Sequence, residues 1–137
     1  MTPYNFRRIV GWGFLGLLAL LLLVGCASPF DHNEHSTLTT INQVASEPKT
    51  VCGDLNLARS VAEDMATQSQ WIYIYSSNLD GNVDMTKMAK NLMDITKEFQ
   101  SRFNQPVPPS RTYCIAKVEN IKQATDVMLK ISGRRAR

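Results

Sequence analysis

Apolar side chains recur every three or four positions in three stretches of the second half of the chain. The clearest stretch begins behind Asp84, a candidate N-cap, and its apolar or small positions are Met85, Met88, Ala89, Leu92, Ile95, Thr96, Phe99 and Phe103. This spacing places them along one face of an α-helix. Pro106, Pro108 and Pro109 follow, and they predict a stop because proline cannot continue a helix.

Similar faces predict a helix on each side of this one. The earlier helix begins after Asp54, a residue type suited to an N-cap, and its face is formed by Leu55, Ala58, Val61, Ala62, Met65, Ser69 and Ile72. A turn around Gly81 separates it from the next helix. The later helix runs from about Tyr113 to Ser132, and Gly133 stands where a C-cap glycine is expected.

Three helices with short connections predict an all-α, up-down-up bundle. One segment, Trp71 to Tyr75, complicates this assignment because five consecutive β-branched or aromatic residues also suit a short strand. We expect the first helix to continue through it to about Ser77. A strand there would instead give a small α+β domain.

The beginning of the chain has a different pattern. Arg7 and Arg8 precede a run from Ile9 to Val24 that contains no charge, and the composition then turns polar. A positive start, an apolar run and a small residue at its end are typical of a secretory signal peptide. The run has sixteen residues, whereas a membrane span needs about 20. An uncleaved anchor and an ordinary secretory signal are the two alternatives.

The end of this run, Leu23-Val24-Gly25-Cys26, resembles the lipobox of bacterial lipoproteins, and the resemblance covers residues 1–27 only. In that family the cysteine carries diacylglycerol and signal peptidase II cleaves before it. The resemblance implies that Cys26 is lipidated and holds the protein to a membrane without spanning it. Ala27 and Ser28 lack the aspartate that commonly retains such proteins at the inner membrane. The expected location is therefore the periplasmic face of the outer membrane, with the inner membrane as the alternative.

With Cys26 assigned to the lipid, Cys52 and Cys114 remain in a chain that leaves the cytoplasm. An even number of cysteines in an oxidising compartment predicts a disulfide. Both residues stand at helix starts that an up-down-up bundle brings to the same end. A metal site or a thiol nucleophile would need further ligands or a base beside these cysteines, and the sequence has no CxxC motif and no histidine after His35.

The chain therefore divides into four predicted parts. They are a signal peptide (1–25), a lipidated cysteine with a flexible tether (26–51), a helical domain (52–133) and a basic tail (134–137). The tether is expected to be flexible because few of its residues are apolar. Leu38, Ile41 and Val44 have helical or docking spacing, so a tether that orders on meeting a partner is the alternative.

The residue types for catalysis are missing from the predicted domain. It contains no G-x-S-x-G motif, no glycine-rich phosphate loop and no histidine, so we expect no enzyme. His32 and His35 fall in the tether, where nothing would orient them around a metal. The net charge of +3 includes Arg7 and Arg8, and no basic stripe indicates nucleic acid binding. The covalent lipid is the one group that we expect the protein to carry.

Trp71, Tyr73 and Tyr75 are the candidate binding residues. They cannot all point inward from one helix, and exposed aromatic side chains often anchor protein interfaces. The sequence predicts a non-enzymatic, membrane-anchored lipoprotein that binds a periplasmic or outer-membrane protein as an accessory component of a secretion or conjugation assembly. The alternatives are an exclusion or inhibitor lipoprotein that protects the cell surface, and a carrier of a small hydrophobic ligand.

Overall fold

The computed structural model describes residues 30–136 and shows a helical bundle. Its helices are α1 (His32–Ala45), α2 (Pro48–Val51), α3 (Leu55–Ser77), α4 (Val83–Arg102) and α5 (Arg111–Arg135). These residues contain no strand, and α3 continues through Trp71 to Tyr75 as one helix. The predicted all-α class is confirmed, and the α+β alternative is wrong.

Side-chain caps fix where three of the helices begin. Asp31, Asp54 and Ser110 each accept a hydrogen bond from the backbone N–H three residues later, at 2.9, 2.8 and 3.2 Å. Such caps satisfy amides that have no partner within the helix. The prediction that Asp84 caps α4 is wrong, because the N-cap is Asn82 and Asp84 lies in the first turn. The preceding turn ends with Gly81 at a φ of 72°, and Asn82 separates Gly81 from the first helical residue, Val83.

The four long helices form a ring in which each packs against two neighbours. Contacts join α1 to α3, α3 to α4, α4 to α5 and α5 back to α1. Each long helix runs antiparallel to the next one, as short connections favour. The start of α1 therefore meets the ends of α3 and α5, while the end of α1 meets their starts.

The core lies along the axis of this ring. The buried apolar side chains of the three predicted helices include Met65, Ile72, Met85, Leu92, Phe99, Val118, Ile121 and Met128. Phe99 and Phe103 pack edge to face, with ring centroids 5.3 Å apart. The amphipathic faces predicted from the sequence pack inward, except that Leu55 at the start of α3 is 43% exposed. The buried methionines are core residues, and Met85 is fully enclosed.

The tether predicted for residues 26–51 is wrong over the part that the structure describes. Residues 32–45 form α1, whose Leu38, Ile41 and Ala45 are at most 1% exposed. Val51 of α2 is also buried, whereas Val44 is exposed. The inward positions are spaced by four and three residues, so a narrow apolar seam orders this segment although most of its residues are polar. The bundle consequently has four long helices where the sequence predicted three.

The predicted basic tail is also partly wrong. Gly133 lies inside α5, which continues to Arg135, and Arg135 Nη1 donates a hydrogen bond to Asn82 Oδ1 at 2.7 Å. Basic residues in the last turn of a helix favour its continuation through the helix dipole. Arg137 lies outside the described residues.

Candidate functional site

A disulfide closes one end of the bundle. Cys52, which follows α2, is bonded to Cys114 in the first turn of α5, with 5.9 Å between their Cα atoms and 62 residues of sequence separation. Both side chains are buried. The bond therefore joins the starts of α3 and α5, the end of the bundle where the topology was expected to bring both cysteines. The predicted pairing is confirmed.

Asn42 ties α1 to α5 near the middle of the bundle. Its Nδ2 donates to Thr125 Oγ1 at 2.9 Å and to Asp126 Oδ1 at 2.7 Å. Lys122 Nζ donates to the other oxygen of Asp126 at 2.6 Å. The bonds from Lys122 and Asn42 lower the pKa of Asp126 below its ordinary value because they stabilise the carboxylate. The charge of Asp126 thus supports the attachment of α1.

The opposite end of the bundle encloses a polar cluster around Glu34, which we call the Glu34 network. The Glu34 side chain is 1% exposed, and its Oε1 accepts hydrogen bonds from Ser76 Oγ and from Asn82 Nδ2, the latter at 3.1 Å. Thr86 Oγ1 donates to the carbonyl oxygens of Ser76 and Asn82, both at 2.9 Å. With the bond from Arg135 to Asn82, the network draws on all four long helices.

Because buried polar groups are stable only when they are paired, the Glu34 network fixes the register of the four helices at this end. We expect Glu34→Ala to lower the free energy of unfolding by about 1–3 kcal/mol, since it removes the acceptor of Ser76 and Asn82. Chemical denaturation measures the change. Glu63→Ala, at an exposed position of α3, is the control and should stay within about 0.5 kcal/mol of the parent. Equal stabilities for the two variants would contradict this role.

His35 lies beside Ser132, a pairing that the sequence does not predict. His35 Nδ1 is 3.0 Å from Ser132 Oγ on the last turns of α5. Ser132 is 1% exposed, so a substrate carbonyl has no approach to its hydroxyl. A nucleophilic serine needs an accessible oxygen and an oxyanion cradle. We assign this pair to the packing of α1 against α5.

The candidate metal ligands His32 and His35 do not form a metal site with other residues of the described chain. Among residues 30–136, no group of three or more His, Cys, Asp or Glu side chains is arranged to hold a metal ion. His32 and His35 instead contact the ring of Phe30, with centroids 4.8 and 5.3 Å from it.

An aromatic pair and one aliphatic side chain form an exposed patch on α3, which we call the Trp71 patch (Trp71, Ile74 and Tyr75). Trp71 is 43% exposed and Ile74 is 52% exposed. The rings of Trp71 and Tyr75 stack, with centroids 4.7 Å apart and planes 10° from parallel. Tyr75 is anchored in turn by its hydroxyl, which donates to Asp31 Oδ2 at 2.9 Å. The patch is therefore held rigidly on the scaffold.

Tyr73, the third candidate aromatic, does not belong to this patch. It is half-buried and packs against the core, and it lies on the side of α3 that approaches Lys90 of α4. Side chains two residues apart on a helix point about 200° away from each other, so Tyr73 cannot share a face with Trp71 and Tyr75. The structure brings together Trp71 and Tyr75 and adds Ile74, which was not among the predicted binding residues.

The Glu34 network was not predicted from the sequence. Glu34, Leu38 and Ile41 have the spacing of one helix face, behind the N-cap residue Asp31, and this was the available signal. The lipidation site at Cys26 lies outside the described residues. Within residues 30–136, no helix has both the length and the apolar content that crossing a membrane requires.

Comparisons with protein-family models, with curated proteins and with solved structures found no match to this chain.

Proposed function

We propose that this protein is a non-enzymatic lipoprotein, anchored through Cys26 to the periplasmic face of the outer membrane, that binds another protein as an accessory component of a secretion or conjugation assembly. The anchor follows from the lipobox resemblance of residues 1–27. The binding role is supported mainly by the Trp71 patch, where a tryptophan and an isoleucine are about half exposed on a disulfide-closed scaffold.

The rigidity of the patch favours binding. An anchor side chain that is already fixed loses little conformational entropy when a partner covers it. Trp71 is fixed by its stack on Tyr75, and Tyr75 is fixed by Asp31 and by Asn33, whose Nδ2 donates to the tyrosine oxygen at 3.2 Å. Tryptophan is among the residues that contribute most to protein interfaces. The proposed partner therefore presents an apolar pocket to Trp71 and Ile74.

Capture of the partner from the envelope tests this role. We expect Ile74→Asp in the intact lipidated chain to weaken binding by at least about 30-fold, because it places a charge in an apolar contact. Cross-linking in living cells followed by purification in mild detergent measures the captured partner. Val127→Asp, at a 55% exposed position of α5, is the matched control and should capture as much as the parent. If the parent chain is recovered without any cross-linked partner, the binding role is refuted.

Metabolic labelling tests the anchor separately. We expect the parent chain to incorporate a palmitate analogue and Cys26→Ser to incorporate none, because the thiol of Cys26 is the proposed acceptor. When the same samples are fractionated, the parent should be found in the outer-membrane fraction and the variant should be absent from it. Labelling of Cys26→Ser at the level of the parent would overturn the lipid assignment and leave the Trp71 patch unaffected.

A further inference from the structure

The end of the bundle where α1 begins lies close to Cys26 in the chain. Residues 27–31, which we call the anchor link, separate Cys26 from His32, the first residue of α1. Each residue extends a chain by at most about 3.6 Å, so the Cα atoms of Cys26 and Asp31 are at most about 18 Å apart, whatever the conformation of the link. An anchor at Cys26 therefore holds this end of the bundle at the membrane surface.

The Trp71 patch is joined directly to the end of the anchor link. The Asp31 carboxylate accepts the hydrogen bond from the Tyr75 hydroxyl at 2.9 Å, and the rings of Tyr75 and Trp71 stack with centroids 4.7 Å apart. With the lengths of these side chains added, the Trp71 ring lies at most about 35 Å from Cys26. Because this limit follows from contacts, it holds at any tilt of the bundle. The patch is therefore confined to a layer next to the membrane.

The lipid bilayer itself fits the patch poorly. Segments that lie in a membrane surface carry lysine and arginine beside their apolar side chains, and these cations pair with lipid phosphates. Helix α1 contains neither residue type, and α3 contains none after Arg59 near its start. The charged group bonded to the patch is the carboxylate of Asp31, which repels phosphate. The surroundings of the patch therefore favour an apolar protein surface over lipid headgroups.

A protein embedded in the same membrane gains most from a short anchor link. Its periplasmic surface stays within the layer that the patch reaches, and confinement of both proteins to one plane raises the effective concentration of each for the other. A soluble protein gains nothing from the short link, and the bilayer blocks part of its approach to the patch. The length of the link thus distinguishes the two classes of partner, periplasmic and outer-membrane, that the sequence left open.

We propose that the partner of the Trp71 patch is a membrane-embedded protein whose periplasmic surface presents an apolar pocket close to the bilayer. This inference rests on the proposed function, because it takes the anchor at Cys26 and the binding role of the patch as its starting points. It adds the class of the partner and the height above the membrane at which the two proteins meet. The length of the anchor link sets that height.

Energy transfer from Trp71 to the membrane tests the height of the patch. The sequence contains two tryptophans, Trp12 and Trp71, and cleavage before Cys26 leaves Trp71 as the only donor. We expect the lipidated chain in phosphatidylcholine vesicles to transfer energy to a dansyl headgroup lipid. About thirty Gly and Ser residues inserted after Ser28 lengthen the link by a mean of about 30 Å and should reduce the transfer at least about twofold. Quenching of Trp71 by lipids brominated in their acyl chains would place the patch in the bilayer and overturn the proposal.

Cross-linking in living cells tests the class of partner. Benzoylphenylalanine in place of Gln70, an exposed residue beside Trp71, captures the partner for identification. We expect this partner to stay in the membrane pellet during an alkaline carbonate wash of cells that lack the lipoprotein. The insertion after Ser28 should lower the cross-link yield at least about threefold, because a longer link lowers the effective concentration. The same residues inserted after Val107, in the exposed loop between α4 and α5, are the control and should leave the yield unchanged.

The outcomes separate this inference from the proposed function. If capture depends on Ile74 but the wash releases the partner, or if the yield does not depend on the length of the anchor link, the membrane-embedded partner is overturned and the binding role remains. If no partner is captured, or if Ile74→Asp leaves capture unchanged, the proposed function fails and this inference fails with it. Labelling with the palmitate analogue tests the anchor independently of both.

Discussion

Removal of the Cys52–Cys114 disulfide is expected to lower the free energy of unfolding by about 4 kcal/mol, because the bond closes a loop of 62 residues in the unfolded chain. A domain of this size is typically stable by about 5–15 kcal/mol. The loss should lower the melting temperature by about 20 °C. The effect is large because the loop that the bond closes contains the whole of α3 and α4, so the bond restricts both helices in the unfolded chain.

The measurement compares the oxidised chain with the Cys52→Ala, Cys114→Ala double variant in thermal and denaturant unfolding. A reducing agent should bring the parent close to the double variant and should leave the double variant unchanged, which serves as the control. Non-reducing mass spectrometry identifies the bond in the starting material. Equal melting temperatures with and without reductant would contradict the expected contribution.

Leu38→Ala is expected to lower the free energy of unfolding by about 2–5 kcal/mol, the range for truncating a fully buried leucine. Leu38 is 0% exposed and belongs to the core cluster. If residues 26–51 were a flexible tether, as the sequence predicted, the same change would have almost no effect. The experiment therefore also tests whether α1 is part of the folded domain.

Val44→Ala provides the control for this prediction, since Val44 lies on the same helix and is 38% exposed. We expect it to change the free energy of unfolding by no more than about 0.5 kcal/mol. Hydrogen exchange adds an independent readout, because amides in the middle of α1 should be protected to the same extent as those of α3. Fast exchange throughout α1, together with an unchanged free energy of unfolding for Leu38→Ala, would show that the segment is a flexible tether.

The three later helices were readable from the sequence because their apolar faces are wide. In α4, for example, Met85, Leu92 and Phe99 recur every seven residues, which is every two turns, and each of these side chains is buried. Strong periodicity of this kind predicts both the helix and its inward face. The cysteine pairing followed from the count and from the topology, and the two arguments agreed.

Helix α1 was not predicted from the sequence because most of its residues are polar and its apolar face is narrow. Among its fourteen residues, only Leu38, Ile41 and Ala45 are apolar and buried, and the fourth inward position is Glu34. Two inward apolar residues in every seven are enough to hold a helix in a bundle when the neighbouring helices supply the rest of the core. The spacing of Glu34 places it on the same face as Leu38 and Ile41, but the sequence does not indicate its partners, since Ser76 and Asn82 are more than forty residues away.

The sequence by itself determined the helical class, the extents of α3 and α4 to within a turn and the cysteine pair, because local periodicity and the cysteine count carry that information. Only the tertiary structure decided that α1 joins the core, that Glu34 and Asn82 meet at one end, and that Asp31 holds Tyr75 beside Trp71. These features depend on contacts between helices far apart in the chain. A polar residue becomes buried or available only once another helix lies against it, and the local pattern carries no record of which helix that is.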